Sequence, residues 1–245
     1  MKALVFAAGL GTRLGPLTAQ MPKALVPVGG EAMLGRVMQK LCFAGFRDIV
    51  VTVCYKAGMV QDWLRENYPS GATVALSLEP GPEPFETGGG IKFARPLLED
   101  GEPFLVHNVD ILSNADLAAF ASAAHPDALA TLLVTNPRQE DYRFFLFDPA
   151  DMRLVGWTNT RTGEVRGNVR AEDCHRMSFC GIHMVSPTVF PLMESWPERF
   201  SITDFYIKEA ERHPIYGIAA PDLKIIDIGT PETLAEAERA VHGSR

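Results

Sequence analysis

Two cations and two carboxylates, distant along the chain, carry the chemistry that its residue types allow. Arg13 and Lys23 stand in "FAAGLGTRLGPLTAQMPKALVP", residues 6–27, a segment without a single acid. A planar guanidinium fork suits phosphate oxygens and an ammonium adds a compact point charge, so the pair beside a glycine turn suits a polyphosphate. Gly9 and Gly11 allow backbone N–H groups to come close to such a ligand. Asp110 ends the apolar run "LVHNVD" and Asp227 ends the apolar stretch of "KIIDIG". Two carboxylates at the ligand-binding edge of buried strands fit a shared Mg²⁺, which takes oxygens from one or two carboxylates, phosphates and water.

The elements that must position these groups alternate in period. "KALVFAA" reads as a short strand buried on both faces. Met33, Leu34, Val37, Met38, Leu41 and Cys42 recur at helical spacing and predict an amphipathic helix ending near Gly45. Residues 48–53 read as a strand, 57–68 as a helix, 73–79 as a third strand and 103–110 as a fourth, with helix on either side of it. Ser113 and Asn114 are candidate caps for the helix that follows. Such repetition implies a parallel sheet flanked by helices, with the loop after the first strand at the carboxyl edge where ligands bind.

From about residue 128 "ALATLLVTN", "YRFFLFD", "RLVGWTN" and "MSFCGIHMVS" are strand-like, with "TRTGE" a hairpin turn and few helices. "LKIIDIG" returns to the buried-strand pattern before a helix capped by Thr230 with Pro231 at its first position. The expected fold class is α/β, a Rossmann-like, mostly parallel sheet with a strand-rich half on the same domain. We expect one unit over residues 1–245, divided into a nucleotide-binding half (1–127) and a second half (128–245) that brings the second aspartate. The chain ends soon after its last helix, which predicts no second catalytic domain.

Other classes fit less well. A dinucleotide turn needs its third glycine where Leu14 stands and a helix where Pro16, Pro22 and Pro27 interrupt, and no P-loop motif occurs. A net charge of -7 argues against a nucleic-acid or anionic-membrane partner. The four cysteines show neither a disulfide framework nor zinc spacing. "MKALVFAAGL" is too short for a signal peptide and no apolar run reaches membrane-spanning length, so a soluble cytoplasmic protein with reduced thiols is expected.

"AAGLGTRLGPLT" followed by "PKALVPV" resembles the signature of the sugar-phosphate nucleotidyltransferases, and the likeness continues through Asp110 and Asp227. The resemblance implies an enzyme that joins an NTP and a sugar 1-phosphate, its two partners, and releases pyrophosphate. It implies that Ala8, Gly9, Gly11, Thr12, Arg13 and Lys23 hold the triphosphate and that Asp110 and Asp227 hold catalytic Mg²⁺. Arg13, Lys23 and Asp110 then carry the catalysis. "FETGGGIKFA" is similar to a branch that includes the N-acetylmuramate-1-phosphate uridylyltransferases, implying base and ribose contacts from Glu86, Thr87, Gly88 and Gly89, with Glu79 reading the base. "ETGGG" alone points to UTP; a mannose- or heptose-1-phosphate guanylyltransferase is an alternative, and an inactive nucleotide-sugar-binding regulator is an alternative of another class.

The chain departs from the family pattern twice. Val109 precedes Asp110 where a glycine is common, and "LVGWTNTRTGEVRGN" lacks the lysine that many members place on the sugar phosphate. Trp157, Asn159 and Arg161 are candidates to replace it, and Asn108, Asn159 and Gly181 are the sugar-binding candidates. Asp204 reads as a helix cap and His107 as a core histidine.

Overall fold

Burial on both faces accounts for the central strands. The computed structural model describes residues 1–243. In β1 (Lys2–Phe6), Ala3 and Val5 pack into one apolar layer and Leu4 into the opposite one. Next come α1 (Met33–Phe43), β2 (Asp48–Val53), α2 (Ala57–Glu66), β3 (Thr73–Leu78), α3 (Glu86–Phe93) and β4 (Phe104–Asn108). Strands β4, β1, β2 and β3 lie side by side and parallel. Their carboxyl ends therefore share one edge, the edge at which α/β sheets bind ligands.

The chain continues through β5 (Ile111–Ser113), α4 (Leu117–Ala123), β6 (Ala130–Thr135), β7 (Arg143–Phe147), β8 (Leu154–Asn159), β9 (Glu164–Arg166) and β10 (His175–Val185). β10 joins the two halves. It runs antiparallel to β4, and it also pairs with β6 and β7, so the sheet is continuous across both. The last elements are α5 (Ile202–Glu209), β11 (Ile215–Ala219), β12 (Ile225–Asp227) and α6 (Pro231–His242).

Several local expectations need correction. Pro16 does not forbid a helix: it begins the short helix Pro16–Gln20, at a position whose N–H has no intrahelical partner anyway. Ser113 and Asn114 do not cap α4. Asp116 does, its carboxylate accepting from the Ala119 N–H at 2.9 Å, because Ser113 belongs to β5. "LKIIDIG" is not a buried strand of the main sheet; β12 is half-buried and forms a two-stranded antiparallel ribbon with β5. β11, parallel to β6, and the helices Val189–Met193 and α5 make the second half less purely strand-built than its sequence suggests.

A third apolar cluster matters for function. Leu14, Val26 and Val28 of the opening segment pack with Ile228 and Ala237 from the end of the chain. α6, with the capping box at Thr230, is thereby fixed against the loop that carries Arg13 and Lys23, and the Gly29 N–H donates to the Glu238 carboxylate at 2.9 Å.

All four cysteines are free thiols. Cys180 lies in the core, and burial pushes its thiol up to about 12. At pH 8 it is neutral and shielded, so it is a poor nucleophile. Alkylation of the native protein with iodoacetamide is expected to modify at most three cysteines, the fourth reacting only after unfolding; four fast thiols by mass spectrometry would contradict this packing.

Candidate functional site

The glycine segment after β1 folds as two tight turns, Thr12–Leu14 and Lys23–Leu25, around the short helix Pro16–Gln20. Gly11 has φ 65°, and a Cβ there would lie 2.8 Å from the Thr18 side chain, whose hydroxyl donates to the Gly11 carbonyl at 2.9 Å. The glycine at 11 is thus required by the fold of the loop itself. Pro22 stands extended before the second turn and directs Lys23 inward, where only 7% of the residue is exposed.

Asp110 follows β4, held where the Val109 N–H donates to the Phe6 carbonyl at 3.2 Å. The β5–β12 ribbon then brings Asp227 alongside: Asp227 pairs with Ile111, and the Ile228 N–H donates to the Asp110 carbonyl at 3.0 Å. The Lys23 ammonium donates to the Asp110 carboxylate and lies 3.6 Å from Asp227 Oδ1. Arg13 Nη2 is 3.9 Å from Asp227 Oδ2, with two-thirds of its side chain exposed. Two cations and two carboxylates from the beginning, middle and end of the chain therefore converge.

This cluster is electrostatically unfinished. Asp227 Oδ1 is buried with no hydrogen-bond partner. Burial first, then the neighbouring Asp110 charge, hold the Asp227 carboxyl above the usual carboxylate range. Paired carboxylates with an unpartnered oxygen suit a hard cation with oxygen ligands. Among the described residues no group of three or more His, Cys, Asp or Glu side chains could hold a metal, and the carboxylates this cluster offers are Asp110 and Asp227.

A cleft of about 180 Å³ opens beside Lys23 and Asp110. Phe6, Ala7, Ala8 and Gly9 line it together with Glu79, Pro84, Glu86, Thr87, Asn108 and Val109. Glu79 is buried; its Oε2 accepts from the Phe85 N–H at 2.7 Å, and burial raises its carboxyl above the ordinary value. The Thr87 hydroxyl accepts from the Ile202 N–H at 3.0 Å. Thr12 lies on the exposed turn next to Arg13, outside the cleft lining.

Gly88 and Gly89 are not at the cleft. Both N–H groups donate to the Phe200 carbonyl, and a Cβ would meet the Phe200 ring at 2.3 Å from Gly88 or the Glu198 carbonyl at 2.0 Å from Gly89. Their small size permits the close packing of α3 on the segment before α5.

A second hollow of about 570 Å³ adjoins the first at Glu86, which lines both and has φ 62°, a conformation uncommon for a side chain larger than glycine. Its floor follows from strand alternation. Arg143, Asn159 and Glu164 form one cross-strand row on β7, β8 and β9, and Phe145, Trp157 and Arg166 form the next on the same face. Asn159 is buried, its Oδ1 accepting from the Arg161 N–H at 3.0 Å. Gly181, at φ 68° in an irregularity of β10, leaves room for Asn108: a Cβ there would lie 2.6 Å from Asn108 Nδ2.

Two sequence-level assignments change. Asp204 does not cap α5; the Ser201 hydroxyl does, and Asp204 accepts from Arg166 Nη1 at 2.6 Å in this hollow. Arg161 is turned away onto the Tyr142 ring, 3.8 Å from its centroid. Sequence reasoning overlooked Arg138, Asp141, Arg143 and Ser178. Period-two alternation in "YRFFLF" could have placed Arg143 with Phe145, but not on which face. His107 is buried and neutral, its pKa lowered by burial to about 4, as a core histidine.

Residues 2–145 match the nucleotidyl transferase family. The chain is 34% identical over 200 residues to the N-acetylmuramate alpha-1-phosphate uridylyltransferase of Neisseria meningitidis, covering 80% of this chain and 79% of that one. It is 31% identical to the enzyme of that name from Caulobacter vibrioides, over 96% of this chain and 95% of the other. The mannose-1-phosphate guanylyltransferase catalytic subunit beta of Dictyostelium discoideum is 29% identical over 80% of this chain and 53% of its own. In fold, the chain is similar to a UDP-glucose pyrophosphorylase complexed with UDP-glucose, with a TM-score of 0.80 at 18% identity, covering 100% and 99% of the two chains. A glycine loop, two phosphate-suited cations and paired carboxylates at one sheet edge are what that kinship leads one to seek, and this chain, an enzyme, belongs to the nucleotidyl transferase family.

Proposed function

We propose that the enzyme joins UTP to a sugar 1-phosphate that carries a carboxylate, N-acetylmuramate 1-phosphate, releasing pyrophosphate in the cytoplasm, and that residues 1–245 act as one unit. The observation that carries this reading is the convergence of Lys23, Arg13, Asp110 and Asp227 beside the smaller cleft, which Lys23 and Asp110 line. The smaller cleft takes the nucleotide and the larger one the sugar. The buried Glu79 on the smaller cleft offers an acceptor for an N–H of the base.

In this reaction an oxygen of the sugar phosphate bonds to the α-phosphorus of UTP while the bond from that phosphorus to the bridging oxygen of pyrophosphate breaks. No protein nucleophile is required; catalysis is positioning and charge stabilisation. Lys23, released from Asp110, holds the phosphate chain. Arg13, exposed beside Asp227, meets the departing pyrophosphate and neutralises the charge that grows there. Asn108, which lies against Gly181 and lines the smaller cleft, contacts the sugar, and Asn159 orients it by hydrogen bonds. Asp110 and Asp227 would hold Mg²⁺, which supplies Lewis-acid charge to the phosphate oxygens when bound.

The test is pyrophosphate release from each of the four common NTPs paired with N-acetylmuramate 1-phosphate, mannose 1-phosphate and glucose 1-phosphate. The expected best pair is UTP with N-acetylmuramate 1-phosphate. A preference for GTP with mannose 1-phosphate would move the assignment to a guanylyltransferase, the activity named for the Dictyostelium relative.

A further inference from the structure

Three guanidiniums line the larger hollow, and two of them already hold carboxylates. Arg138 forks onto Asp141 (Nε–Oδ2 3.1 Å, Nη2–Oδ1 2.9 Å), and Arg166 donates to Asp204. Arg143 has no ion pair and no side-chain hydrogen bond among the described residues. Its guanidinium carbon lies 5.2 Å from the centre of the Tyr142 ring, which also receives Arg161 at 3.8 Å. An aromatic face orients a cation without neutralising it. Arg143 also stands directly across from Asn159 at one end of a floor whose apolar part is Phe145 and Trp157.

An oriented but unpartnered guanidinium in a hollow otherwise rich in carboxylates selects for an anionic group, which it can grip through two parallel hydrogen bonds. On the function proposed above, on which this step rests, the sugar-side substrate is anionic. We infer that Arg143 is the residue that reads that charge, and that its fork takes either the phosphate of the sugar 1-phosphate or a carboxylate on the sugar ring. It thereby fills the place for which Trp157, Asn159 and Arg161 are the candidates on sequence alone. Arg161 is engaged elsewhere, and neither the Trp157 ring nor the Asn159 amide carries a charge.

The experiment is steady-state kinetics and calorimetry on Arg143→Gln and Arg143→Lys with N-acetylmuramate 1-phosphate and mannose 1-phosphate. Loss of a charge-assisted pair should raise KM for the sugar phosphate and weaken its binding about ten- to a hundredfold in R143Q. KM for the NTP and kcat should stay within about twofold, as for removal of a binding contact alone. R143K should recover part of the loss. A loss with both sugars assigns the phosphate; a loss with N-acetylmuramate 1-phosphate alone assigns the carboxylate. Unchanged affinity for both in R143Q overturns the inference, as does an equal rise in both KM values with R143K no better than R143Q. If the wild type binds a sugar 1-phosphate through Arg143 but turns none over, the inference stands and the proposed function falls.

Discussion

Replacing Asp110 with asparagine should lower pyrophosphate release by at least about a hundredfold, the loss of roughly 3 kcal/mol of transition-state stabilisation. Asn keeps the shape and can still accept from Lys23, so the ammonium stays partnered and the variant should unfold cooperatively near the wild-type temperature. What disappears is half of the negative charge that pairs Asp110 with Asp227 over a buried oxygen without a hydrogen-bond partner. Asp227→Asn should lose activity to a similar degree. Because the two carboxylates act as a unit, the double variant should be little worse than either single one. Losses that multiply would show two independent sites, and full activity in either single variant would remove the proposed role outright.

Gly89→Ala is expected to be the most damaging small change outside the charged cluster. The added methyl would sit 2.0 Å from the Glu198 carbonyl oxygen and 2.9 Å from the Phe85 side chain. The first obstacle is backbone and cannot rotate aside, so α3 must shift. Its bonds from the Gly88 and Gly89 N–H groups to the Phe200 carbonyl, 2.9 and 3.2 Å long, would weaken with it. Overpacking of this kind costs about 3 kcal/mol, which in a chain of this size lowers Tm by about 6–12 °C. Activity should fall as well, because α3 carries Glu86 and Thr87 on the cleft wall. The control is Gly58→Ala in α2, where nothing lies within 4 Å; it should be neutral or slightly stabilising. Scanning calorimetry on the pair separates the two outcomes. Were G89A as stable as wild type, the close approach of α3 to Glu198 would not be required by the fold.

The cluster also accounts for a buried ammonium. Lys23 is almost completely buried, which is costly for an ammonium without a partner, and the two carboxylates are what allow it. In turn its charge offsets part of their mutual repulsion.

Strands β1 to β4 and helices α1 and α2 were legible from periodicity, though the short helix Pro16–Gln20 was not, because whether a short run is buried on one face or two is written in neighbouring residues. Arg13, Asp110 and Asp227 were legible for a related reason, each standing in a glycine turn or at the end of an apolar run, and Lys23 by its place after Pro22 in the same acid-free segment. The capping of α6 by Thr230 was readable locally too. Partnership across the chain was not. Lys23 meets Asp110 across 87 residues of sequence, and Asp227 reaches both only because β12 leaves the main sheet to pair with β5. The glycines of "ETGGG" look like a ligand turn until Phe200 and Glu198 are packed against them. Alternation in β7, β8 and β9 groups Arg143 with Phe145, and Trp157 with Asn159, yet does not choose the face. That choice belongs to the packed sheet, since the side-chain period of a strand is the same whichever face turns toward α5.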